Sequence, residues 1–268
     1  MKQTLSLTRK ELDSYFSSPM ALIFVGVFLA TTLFTFFWVD GFFARGVADV
    51  RSLFRWLPIL MIFLVAALTM RQWSEEEQTG TLEILMTLPA RLAQLVIGKF
   101  LAVLLLVIVA LALTLFLPVS VALVGNLDWG PVFGGYLAAV LMAAGYIAIG
   151  LFVSSRTNNQ IVALTLAVIV CGLFHLVGSP TITELVDPNV GEILRAIGTG
   201  SRFESIERGV IDLRDLVYYL SLTGAFLAFN VLSLDSKRWS TGQKTEAYRR
   251  NSTATAALIA LNLVLFNG

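Results

Sequence analysis

The chain has 268 residues, 57% of them hydrophobic and 14% charged, with a mean hydropathy of +0.80. This is far more apolar than a soluble domain, and it excludes a disordered chain, a collagen, a coiled coil and a disulfide scaffold, the single Cys171 having no internal partner. Nineteen Lys and Arg against eighteen Asp and Glu leave a net charge of +1, which gives no electrostatic basis for binding nucleic acid.

The composition is that of an all-α, multi-pass membrane protein embedded in a lipid bilayer. Residues 1–19 open with an amphipathic stretch, Thr4–Ser17, in which Leu5, Leu12, Tyr15 and Phe16 share a helical face and Arg9, Lys10, Asp13 and Ser14 point away. A helix lying in the membrane interface is expected there. A helix crossing a ~30 Å hydrocarbon core needs about 20 apolar residues. Six runs within 20–234 serve: 20–39, 56–70, 100–124, 131–155, 161–178 and 216–234. The second is short, but Arg55 and Arg71 flank it and can reach the interfaces. Pro118 predicts a kink near the far end of the third. The fourth carries Gly135, Ala139 and Ala143 at four-residue spacing, which permits close helix packing within the protomer. Trp38, Trp56, Trp73, Trp129 and Trp239 all fall near span ends, where an amphipathic ring is most stable.

Twelve of the Lys and Arg lie on the side that carries residues 1–19, the 71–99 loop, the 156–160 loop and the basic tail 235–253; seven lie on the other side. Both the N-terminus and 235–253 are therefore expected to be cytoplasmic. The apolar stretch 254–268 is too short to span and reads as an interfacial helix or the start of a further membrane anchor.

The 71–99 loop reads Glu75-Glu76-Glu77-Gln78-Thr79-Gly80-Thr81-Leu82-Glu83-Ile84-Leu85-Met86-Thr87-Leu88-Pro89. Gly80 can break one helix, Thr79 or Thr81 can cap the next and Pro89 can stop it. The expected product is a two-turn helix with Leu82, Leu85 and Met86 on one side, too short to persist without packing. That side suits a groove on a soluble partner; equally, the glutamates suit an ordinary helix N-terminus.

The outer loop 179–215 is rich in Asp and Glu without diagnostic metal-ligand spacing, and part of it is expected to fold on the membrane surface or dip into it. No phosphate-binding Gly-x-x-x-x-Gly-Lys-Ser/Thr occurs, and His175 has neither a metal-ligand set nor a serine partner, so catalysis by this chain is not expected. The span cores hold no Asp, Glu, Lys or Arg, which disfavours an ion-coupled carrier.

Glu76 to Pro89, followed by Gly98-Lys99-Phe100, resembles the E-x-x-x-GTLE-LL-T-P … GK loop of type-2 ABC exporter permeases. The segment from Arg9 to Pro19 looks like their cytoplasmic elbow helix, and Ser154-Ser155-Arg156-Thr157-Asn158-Asn159-Gln160 like their inner loop before the fifth span. Phe203 to Asp215 is similar to the outer segment of the GldF/NosY-like subgroup. The resemblance implies a six-helix permease in the bacterial inner membrane, paired with a second copy as a homodimer and driven by a separate ABC ATPase that holds ATP and Mg. It implies no cofactor or metal on this chain. It makes residues 75–88 the coupling helix, with Glu75, Glu76, Glu77, Thr79, Gly80, Thr81, Leu82, Glu83, Leu85 and Met86 at the ATPase joint, and Arg156 and Asn158 at a second contact. The tail looks like the start of a GldG-like auxiliary membrane protein, which suggests that protein as a further partner. The expected function is export; the alternative is a mechanical transducer, serving gliding-type motility or metalloenzyme maturation, that moves no substrate.

Overall fold

In a bilayer every main-chain polar group must be satisfied within the segment, so long apolar runs fold as helices. The computed structural model describes residues 2–17, 19–45, 49–87, 91–208 and 212–238. Among these, every regular element is a helix. The chain starts with α1 (Lys2–Ser17) and α2 (Pro19–Phe34), which widens into a π turn over Thr35–Val39 and is followed by the short α3 (Phe42–Arg45). Next come α4 (Arg51–Thr69), the short α5 (Ser74–Gln78) and α6 (Thr81–Thr87), then α7 (Leu92–Thr114) and α8 (Phe116–Val124). The long α9 (Trp129–Ser154) and α10 (Gln160–Val177) precede α11 (Pro180–Thr183), α12 (Pro188–Ile197) and α13 (Gly200–Glu207), and α14 (Leu213–Arg238) closes the described chain.

Six stretches are long and apolar enough to cross a membrane: Pro19–Ala44, Arg51–Gln78, Leu92–Val124, Trp129–Ser154, Gln160–Val177 and Leu213–Lys237. The third begins at Leu92 rather than at Phe100, because Lys99 is neutralised inside the protein and does not end the helix. It breaks at Leu115, three residues before Pro118, where the Leu115 amide bonds the Ala112 carbonyl at 3.1 Å. Proline supplies no N–H to the carbonyl four residues back, and the helix bends at that gap.

Helix α9 is the centre of the bundle and packs against α4, α7, α10, α13 and α14. Its small residues explain this position. A Cβ on Gly135 would lie 2.5 Å from the Phe54 ring, and one on Gly150 would lie 2.2 Å from Thr69 Oγ1. Ala139 and Ala143 are fully buried beside them. Neighbouring helices thus approach to backbone distance, where dispersion contacts are densest.

The 179–212 region folds partly into the bundle. Thr199 is fully buried, and its amide bonds the Phe174 carbonyl at 2.8 Å. Phe174 lies in the last turn of α10, Gln160–Val177, so Thr199 packs into that end of the bundle. Tyrosines satisfy the buried polar groups: the Tyr146 hydroxyl is 2.9 Å from Thr199 Oγ1, Tyr219 donates to the Thr199 carbonyl at 2.9 Å, and Tyr218 donates to the Ile197 carbonyl. Arg202 pairs with Asp215 at 2.9 Å and stacks over the Tyr218 ring. Beside this, the Gly178 and Gly198 backbones touch; a Cβ on Gly198 would fall 2.1 Å from the Gly178 nitrogen. Gly198→Ala is expected to destabilise the protein by about 2 kcal/mol or more, because backbone cannot rotate away as a side chain can. A lowered melting temperature in detergent is the readout, and an unchanged one contradicts the close packing.

Candidate functional site

The distinctive site lies at the end of the bundle where α4 leaves the membrane and α9 and α14 end. Helix α4 passes through a turn at 70–73 into α5, whose first turn carries Glu75, Glu76 and Glu77, as a helix N-terminus favours. Gly80, at φ +72°, ends α5 in the left-handed conformation that glycine adopts without steric cost. The Thr79 hydroxyl donates to the Glu75 carbonyl at 2.8 Å and the Thr81 hydroxyl to that of Glu76 at 3.3 Å, closing the corner before α6.

This corner is bolted to four other helices. Ser154, at the end of α9, accepts from the amides of Trp73 at 3.1 Å and Ser74 at 3.2 Å and donates to the Met70 carbonyl at 3.0 Å. Lys99 of α7, 3% exposed, reaches Glu76 at 2.8 Å and Glu11 of α1 at 3.1 Å, and lies 4.9 Å from the centre of the Trp73 ring. Tyr15 of α1 donates to the Leu68 carbonyl at 2.6 Å and accepts from the Gln72 amide. Lys237 near the end of α14 holds Glu77 at 2.5 Å. Hydrogen-bonded charges in a partly desolvated setting bind more strongly than exposed ones, so these contacts fix α5 rigidly.

The glutamates are therefore turned to cations of the chain itself: Glu75 to Arg71 at 3.0 Å, Glu76 to Lys99 and Glu77 to Lys237. Leu82 is buried in the core, and Leu85 and Met86 pack against it half-buried. The exposed side of α6 is instead Thr81, Glu83, Ile84 and Thr87, with Ile84 at 65% exposure. Pro89 lies outside the described residues, as do Trp239, Val210 and everything after Arg238. Arg156 and Asn158 are exposed on the adjacent 155–159 turn, which Asn159 ends by capping α10 through the Ile161 amide at 2.9 Å. Residues 155–159 follow directly on Ser154, so this turn and α5 share one anchorage.

Several site residues were not legible as such in the sequence: Glu11, Tyr15, Gln72, Trp73, Lys99, Ser154 and Lys237. Trp73 is buried rather than interfacial, because Lys99 and the α5 turn cover it. On α1, Leu5 and Phe16 are exposed, while Thr8 and Tyr15 form the buried side with Leu7 and Leu12 packed beside them. The helix rotates to bring Glu11 to Lys99. Lys99, Ser154, Glu11 and Tyr15 lay within the segments that carry the family resemblance, but nothing in the sequence showed that they meet at one corner.

The chain matches the family model described as ABC-2 family transporter protein over residues 53–267. No curated protein matches it. The match covers α4 through α14, which includes the anchored corner and five of the six spans. The chain belongs to the ABC-2 family of transporter proteins.

Proposed function

We propose that the chain is the permease of an ATP-driven exporter of the GldF/NosY-like subgroup, with α5–α6 as its coupling element. The observation that carries this reading is the division of labour within the corner. One side of α6 is exposed and offers Glu83 and Ile84 to a partner, while α5 is tied by Ser154, Lys99 and Lys237 to three membrane helices. A rigid lever of this kind converts displacement of α6 into movement of spans rather than into local bending. In this reading α1 is the elbow helix, lying along α7 in the cytoplasmic interface, and Arg156 and Asn158 form the second contact.

The ATPase holds ATP and Mg and performs the hydrolysis; the permease contributes the lever and the path. Two copies form the working unit in the bacterial inner membrane, with a GldG-like protein as auxiliary partner. Co-purification with an ABC ATPase from mildly solubilised native membranes tests the class, and its absence even after cross-linking overturns it. ATP-driven transport in proteoliposomes then separates an exporter from a transducer, because a transducer hydrolyses ATP without moving cargo.

A further inference from the structure

At the opposite end of the bundle, the first turns of α4, the end of α10 and α13 enclose an open cavity of about 620 Å³. This volume is within the usual range for a small-molecule site. Its lining is divided by charge. Arg51 and Arg55, one turn apart on α4, stand on one wall, and among the described residues neither guanidinium makes a hydrogen bond or an ion pair. Glu204 and Glu207, on α13, stand on another; among the described residues the ion pair of Glu204 is with the exposed Arg208, at 3.6 Å. Phe54 and Phe203, both buried, form the apolar base, and the Nδ1 atom of His175 is buried there with no hydrogen-bond partner among the described residues.

We propose that this cavity binds a phosphoethanolamine group, with its phosphate on Arg51 and Arg55 and its ammonium on Glu204 and Glu207. Two guanidiniums at helical spacing match a phosphate's acceptor oxygens, and the α4 dipole adds positive potential on the same wall. A simple anion leaves the carboxylates facing it, and a simple cation leaves the arginines facing it. The ligand that satisfies both walls is a zwitterion. Carboxylates accept from N–H donors, which a primary ammonium supplies and a trimethylammonium does not. Burial, then the neighbouring Glu204, pushes the Glu207 carboxyl up to about 7, and the nearby Arg208 and Arg51 offset this only in part. The cavity lies at the ends of two spans, where α4 begins and α10 finishes, which is the level of a lipid headgroup; a soluble phosphoethanolamine ester carries the same charges. The site is independent of the ATPase coupling proposed above.

The test is thermal unfolding and native mass spectrometry of the full chain in detergent with phosphatidylethanolamine, phosphatidylglycerol, phosphatidylcholine or glycerophosphoethanolamine added. The expected result is selective stabilisation and retention of phosphatidylethanolamine, weakened about tenfold or more in Arg51→Gln/Arg55→Gln. Glu204→Gln/Glu207→Gln is expected to lose the preference over phosphatidylglycerol. Competition by glycerophosphoethanolamine at similar concentration identifies a soluble ester as the occupant, and its failure to compete identifies the lipid; both outcomes keep the recognised group. Equal effects from the three lipids in the wild-type chain overturn the proposal. So does wild-type retention of phosphatidylethanolamine by the double arginine variant, whose folding is checked by its unliganded melting temperature.

Discussion

Lys99→Met is expected to destabilise the protein by about 3–5 kcal/mol, the range for removing one partner from a buried ion pair. The methionine fills the same volume, so the loss is electrostatic. Glu11 and Glu76, whose side chains are 17% and 19% exposed, are left facing each other beside the Trp73 ring with no cation between them. One of the two must take up a proton or swing out to water, and either response frees α1 from α7 or α5 from both. Hydrogen exchange should rise in α1 and at 71–80 while the amides of α9 stay protected. Neutralising the carboxylates as well, in Lys99→Met/Glu11→Gln/Glu76→Gln, should recover much of the melting temperature. A single variant as stable as the wild type contradicts a structural role for the triad.

Ile84→Glu is expected to leave folding intact and to weaken ATPase binding by about 2 kcal/mol, roughly thirtyfold, as the loss of a central apolar anchor does. Ile84 touches little in the protomer, being 65% exposed, so its replacement costs little in folding. Leu82→Ala should behave in the opposite way. Leu82 is 7% exposed and packs into the core, so truncation is expected to cost about 2–5 kcal/mol in stability while leaving the exposed face of α6 chemically unchanged. ATPase titration against each variant in nanodiscs, beside its melting temperature, separates the two roles.

The spans were legible because the bilayer imposes one requirement, a sufficiently long uncharged run, and the sequence displays it without reference to partners. Pro118 and Gly80 were legible for a similar reason: a missing N–H and a left-handed corner are local properties. The direction of the glutamates was not. Glu76 is turned by Lys99, 23 residues away, and Glu77 by Lys237, 160 residues away, so neither pairing leaves a local trace. Helical periodicity correctly put Leu82, Leu85 and Met86 on one side of α6, but it cannot say whether that side meets a partner or the protein's own core. Helical spacing of apolar residues in 179–215 predicted that part of it folds on the membrane surface or dips into it, but not which residues receive it. Its polar groups are tolerated inside the bundle because Tyr218 and Tyr219 of the following helix donate to its carbonyls and Tyr146 of α9 meets the Thr199 hydroxyl.

Site-specific cross-linking tests whether an ATPase drives the permease through the exposed face of α6. Cys171 is the chain's one cysteine and is buried, so Ile84→Cys supplies a single accessible thiol. In native membranes, a short thiol-reactive photo-cross-linker at residue 84 should capture a protein with a Walker ATPase signature, with a yield that changes when ATP is added. Capture only of lipid or of a second permease copy, with ATPase recovered instead from a cysteine at the opposite end of the bundle, rules out coupling through α6.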